Sequence, residues 1–136
     1  MAQIQYDLGC YLEKTNIAHF EKAAQLSNGL DTNLRLKSLA QLLSRYKVSG
    51  NHERMLQIRR EIDRKMDKTD LGTQKEVFLH LSSSHFYSAD YQKARQYLEK
   101  KISLERMQDD VFGMVYSLIS LVGYCFTDCL GLSKPH

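Results

Sequence analysis

A single proline interrupts the 136 residues, and it is the next-to-last one. Helices can therefore run without the break that an interior proline imposes. Three cysteines (Cys10, Cys125 and Cys129) form an odd set with no framework, which argues for a reducing, cytoplasmic setting over secretion. The opening MAQIQYDLGCYLEK has no basic start and carries acids in its first turns, unlike a signal peptide. An excess of one sign of charge is lacking as well: a formal net charge of +3 is too small by itself to argue for nucleic acid. No stretch alternates with period two for long enough to make a strand. With 43% hydrophobic and 26% charged residues, the composition suits a soluble helical domain with a modest core.

The sequence also lacks the usual carriers of chemistry. It has no phosphate loop, no Gly-x-Gly-x-x-Gly and no His-Glu-x-x-His. Ser82-Ser83-Ser84 has no Gly-x-Ser-x-Gly frame, and small residues at a helix crossing account for Ser82. His80 and His85 fall on different sides of one helix, so they are no ligand pair, and His19 and His52 read as surface residues. Cys125 and Cys129 share a helix face, but a structural zinc needs four ligands at motif spacing. They read as core or interface residues. No catalytic, cofactor-binding or metal-binding residue is nominated, and the chain reads as a non-enzyme.

What the sequence does have is a near-repetition. Leu39–Asp70 and Phe78–Asp110 align at a shift of 39, with Leu42 on Leu81, Tyr46 on His85, Gly50-Asn51 on Ala89-Asp90 and Met55 on Ala94. A fixed period in this range marks stacked supersecondary units, most often helix pairs. Leu39, Leu42, Leu43 and Tyr46 line one helical face, and Met55, Ile58, Ile62 and Met66 line the next. Asn28-Gly29, Gly50-Asn51, Leu71-Gly72-Thr73 and Ala89-Asp90 mark turns. Asp31, Thr32 or Asn33, then Asn51, Thr73 and Asp90, offer helix N-caps. The spacing predicts helices near 3–13, 15–28, 32–48, 51–68, 73–88 and 90–107, and a seventh from 110 to 127. The first two are separated only by a short turn at Lys14-Thr15, or form one bent helix. The fold class is all-α, an α-solenoid of antiparallel helix pairs in one domain over 1–127, with units 3–28, 32–68, 73–107 and 110–127 and a tail at 128–136.

The second full unit resembles a tetratricopeptide repeat (TPR). Ala89-Asp90-Tyr91-Gln92-Lys93-Ala94 stands where that family has Gly-Asp-Tyr-Glu-Lys-Ala, Phe78 and Leu81 match its large first-helix residues, Ser82 and Ala94 its small ones, and Leu98 the large residue of the second helix. The other units depart from it: Leu43, Met55 and Arg59 stand where small, small and large apolar residues are usual. Leu8-Gly9, Phe20-Glu21-Lys22-Ala23 and Val122-Gly123 match partially. The longer period is similar to TPR scaffolds of motors, polarity complexes and ciliary assemblies. The resemblance implies a concave groove lined by first helices that takes a peptide or partner helix. Its groove positions would be Lys37, Gln41, Ser44 and Lys47 in one unit and Glu76, Leu79, Ser83, Phe86 and Tyr87 in the next, with Phe86 and Tyr87 as aromatic anchors. The Lys-Asn set with which some members clamp a C-terminal carboxylate is absent. A peptide-sensing regulator is a further implied alternative, but no DNA-binding or phosphatase segment accompanies the repeats.

Two features stand apart. Arg54, Arg59, Arg60, Arg64, Lys65 and Lys68 are mixed with Glu53, Glu61, Asp63 and Asp67, which reads as a solvated face and against nucleic acid. Val111–Thr127 carries no charge over seventeen residues, the lower limit for a membrane span. Its glycines, serines and tyrosines weigh against spanning, and a helix buried between repeat neighbours is the simpler expectation. A repeat array usually ends in a polar capping helix, so this apolar end implies either a piece of a longer repeat protein or self-association through that helix. A membrane-tethered adaptor is the alternative from a different class.

Overall fold

The structure, a computed structural model, describes residues 1–11 and 16–130. The turn expected at Lys14-Thr15, the tail from 131 to 136 and the Cys10 side chain lie outside the described residues. Among the described residues seven α-helices follow one another: α1 Ala2–Tyr11, α2 Asn16–Ser27, α3 Thr32–Ser49, α4 His52–Lys65, α5 Leu71–Tyr87, α6 Tyr91–Met107 and α7 Val111–Leu130. Among the described residues there is no strand, so the all-α class holds.

Helix boundaries follow a repeating set of caps. Asp31 Oδ1 accepts from the Leu34 backbone N–H at 3.0 Å to start α3, and Asp70 and Asp110 do the same for Thr73 and Gly113 at 2.7 and 2.9 Å to start α5 and α7. Asn51 and Asp90 cap α4 and α6 through Arg54 and Lys93. The first-helix caps are spaced 39 and 40 residues apart, the second-helix caps 39. The turns match as well: Asn51 N–H donates to the Tyr46 carbonyl as Asp90 N–H donates to that of His85. Gly50 (φ 80°) and Ala89 (φ 61°) both take the left-handed conformation that closes the preceding helix. Glycine does this freely, whereas alanine carries strain of roughly 1 kcal/mol. Asp70, not Thr73, is the cap of α5: Leu71 and Gly72 form its first turn rather than a loop, because first-turn N–H groups need no intrahelical partner. α7 likewise runs on past Thr127 to Leu130.

The chain divides into two compact units, Met1–Val77 and Phe78–His136, with the division inside α5. In the first, Phe20, Leu36, Leu39, Leu42, Leu43, Met55, Ile58 and Ile62 are almost fully buried. The α1 backbone comes so close to Phe20 that a Cβ on Gly9 would lie 2.8 Å from its ring. A short 3₁₀ turn at Met66–Lys68 ends α4, and the Asp70 N–H donates to Asn33 Oδ1 at 2.9 Å, tying the start of α5 to that of α3. In the second unit Leu81, Ser82, Ala94 and Leu98 are fully buried. Tyr97 stacks on Phe78 and His85 at 6.0 and 5.4 Å, joining α6 to α5. His85 thus serves as the packed aromatic that its place in the repeat suggests.

Candidate interaction surfaces

The groove positions read from the sequence are all partly or fully accessible; none is buried. Within the first unit, Gln41 Nε2 donates to Glu76 Oε1 at 3.3 Å, and the Tyr6 hydroxyl donates to the same oxygen. Lys37, Gln41, Ser44 and Lys47 follow one another on α3 at helical spacing, so the structure brings one of them, Gln41, together with Glu76. Within the second unit, Leu79, Ser83, Phe86 and Tyr87 lie along α5. Leu79 and Tyr87 are exposed, but Phe86 is engaged internally: it stacks on Tyr124 of α7 at 4.3 Å and meets Tyr91 edge-on at 5.3 Å.

Arg54 and Lys65 of α4 and Arg35 of α3 are paired with carboxylates. Arg35 makes a two-pronged bond to Glu61, one arm of it 2.7 Å long, and Lys65 approaches the same carboxylate at 3.3 Å. Arg54 reaches Glu21 at 2.6 Å. The Arg35 guanidinium holds the Glu61 carboxyl below the usual carboxylate range, against the opposing effect of burial. Burial and the nearby Glu21 charge push the Tyr46 hydroxyl up. An open cleft of about 410 Å³ lies here, lined by Glu21, Lys22, Arg35 and Arg54 among others, but both its arginines already have carboxylate partners. Among the described residues no group of three or more His, Cys, Asp or Glu is placed to hold a metal.

Where α7 docks on α6, the chemistry has no local signature in the sequence. Glu105 is only 2% exposed. Lys101 Nζ donates to its Oε2 at 2.8 Å and to Ser117 Oγ at 2.8 Å, while Ser117 donates to Glu105 Oε1 at 2.7 Å. A buried carboxylate is tolerable only when paired and hydrogen-bonded in this way. Gly113 is part of the same arrangement, since a Cβ there would run into the Glu105 and Asp110 carboxylates. A lysine and a glutamate four apart ordinarily signal a surface pair, and a serine in an apolar run signals nothing.

The other side of α7 is open. Ser117 is its one buried residue, and Phe112, Val115, Ile119, Val122 and Phe126 are exposed. The expectation of a helix buried between neighbours is therefore not met. These side chains form an apolar face along the length of the helix.

No family model, curated protein or solved structure matches this chain. Function must rest on the surfaces themselves.

Proposed function

We propose that the chain is a non-enzymatic helical-repeat module, a divergent TPR-like scaffold in the cytoplasm, that binds another protein as a peptide or helix along its first helices. The observation that carries this reading is the repeated cap-and-turn frame, with Asn51 and Asp90 capping second helices behind the left-handed Gly50 and Ala89. Such frames build modules whose repeated helix faces are docking surfaces. The test is affinity capture with Leu79→Asp/Tyr87→Asp, which changes two exposed side chains and leaves the Phe86 stack alone. Proteins bound by the wild-type chain are expected to be lost, while the thermal melt stays unchanged. The same proteins retained at the same yield would remove α5 from the binding surface.

A membrane tether is the second reading, favoured by the length of α7, 20 residues, and its apolar composition. It carries a structural cost. Lys101 and Glu105 meet Ser117 about a third of the way along α7, so a spanning α7 would take an ion pair to membrane depth or abandon it. Carbonate-resistant membrane pelleting would favour the tether, and a soluble pool would dismiss it.

A further inference from the structure

We propose that α7 pairs with α7 of a second copy of this chain through a heptad seam. With 3.6 residues per turn, Phe126 lies two and a half turns from the buried Ser117 and so on the opposite side of the helix. Around it, Phe112, Val115, Ile119, Val122, Phe126 and Cys129 succeed one another at intervals of three, four, three, four and three residues. That is the a/d spacing of a coiled-coil seam, and all six side chains are exposed. The occupant such a seam calls for is another helix at a shallow crossing angle.

Charge leaves a second copy free to pair. In a coiled coil the positions flanking the seam choose partner and orientation through ion pairs. Here the flanks are Tyr116, Leu118, Gly123 and Cys125, none of them charged. The acids at the two ends, Asp110 and Asp128, lie about two and three turns from Ser117 and so on its side of the helix, away from the seam. Two copies therefore meet without like-charge repulsion, and nothing on the flanks favours a partner of opposite charge. Area points the same way. The seam and its flanks expose on the order of 1,000 Å² of apolar side chain, against ~800 Å² per partner in a standard interface. The opposite face stays docked on α6 throughout, so pairing requires no rearrangement of Lys101, Glu105 and Ser117.

The experiment is size exclusion with light scattering on the full chain from ~1 to ~100 μM, with a circular dichroism melt on each sample. A mass of twice 15.8 kDa appearing with concentration is expected. Ile119→Lys/Val122→Lys should weaken pairing by about a hundredfold or more while leaving the melt of the diluted monomer unchanged, because both side chains are exposed. A monomer across the whole range overturns the proposal. So does a dimer indifferent to the double substitution, and so does a wild-type monomer that floats with phosphatidylcholine vesicles, which would assign the face to lipid. The pairing goes beyond the first-helix docking reading and leaves Leu79 and Tyr87 untouched, so either can fail without the other.

Discussion

α5 and α7 hold equivalent places in the repeat, entered through Asp70 and Asp110 forty residues apart, yet they use the same positions in opposite ways. Phe78 is 8% exposed and its counterpart Leu118 48%; Ser82 is fully buried and its counterpart Val122 68% exposed. The difference is a neighbour. α6 covers that face of α5 with Tyr97 and closes on it with small residues, whereas α7 touches α6 through a different side, around Ser117. Apolar character in a repeat helix thus reports the capacity to be covered, and the neighbour packed against it decides whether it is.

The sharpest way to break this comparison is at the α6–α7 junction. Glu105→Ala leaves Lys101 and Ser117 without their carboxylate and should cost about 3–5 kcal/mol, read by urea denaturation. Lys101→Met/Glu105→Leu/Ser117→Ala should recover most of that loss, because an apolar cluster replaces the whole network. A loss below 1 kcal/mol for Glu105→Ala would mean that α7 docks without it. Next in size, Leu81→Ala in the covered helix should cost about 2–5 kcal/mol, whereas Val122→Ala in the open one should stay within about 0.5 kcal/mol in dilute solution. Equal effects would show that α7 is covered after all.

The two turns offer a finer contrast. Ala89→Gly should stabilise by roughly 1 kcal/mol by relieving the left-handed alanine, and Gly50→Ala should destabilise by a similar amount. Both shifts are measurable as changes in midpoint at constant urea dependence. The smallest effect concerns the Arg35–Glu61 pair of the first unit, which is more accessible than Lys101–Glu105. Because the folded carboxyl of Glu61 sits below its ordinary 4.5, its stabilising contribution is complete above that pH and disappears as pH falls through the lowered value. Between pH 7 and 3 the wild-type chain should therefore lose stability more steeply than Glu61→Gln. Parallel curves would assign the acid sensitivity elsewhere.

Much of the architecture was readable because its determinants are local. Asn51 and Asp90 cap as the sequence suggested, and Gly50 and Ala89 fall one residue before them at a constant period. The cap at Asp70 is masked in the sequence because Leu71-Gly72 looks like a turn, although a first-turn glycine costs a helix little once an aspartate caps it. The surroundings of α7 were not readable. Hydrophobicity names no neighbour, and Ser117 finds Glu105 twelve residues away across a helix junction that no local pattern records. Phe86 shows the same limit: its spacing places it with Leu79 and Tyr87, while its ring is taken by Tyr124, thirty-eight residues further on.

The cap frame bears on the order in which the chain assembles. Each cap bond joins residues only three apart, so the helix starts are fixed with almost no loop to close, before any helix has met its neighbour. Contacts this local favour rapid folding that can begin in any hairpin and spread outward. α7 is the exception, since its one buried side chain must wait for Glu105 to be presented by a finished α6. In a pulse of hydrogen exchange during refolding, its amides should be the last to gain protection, and the apolar seam would become available to a second chain only once the rest of the second unit is in place.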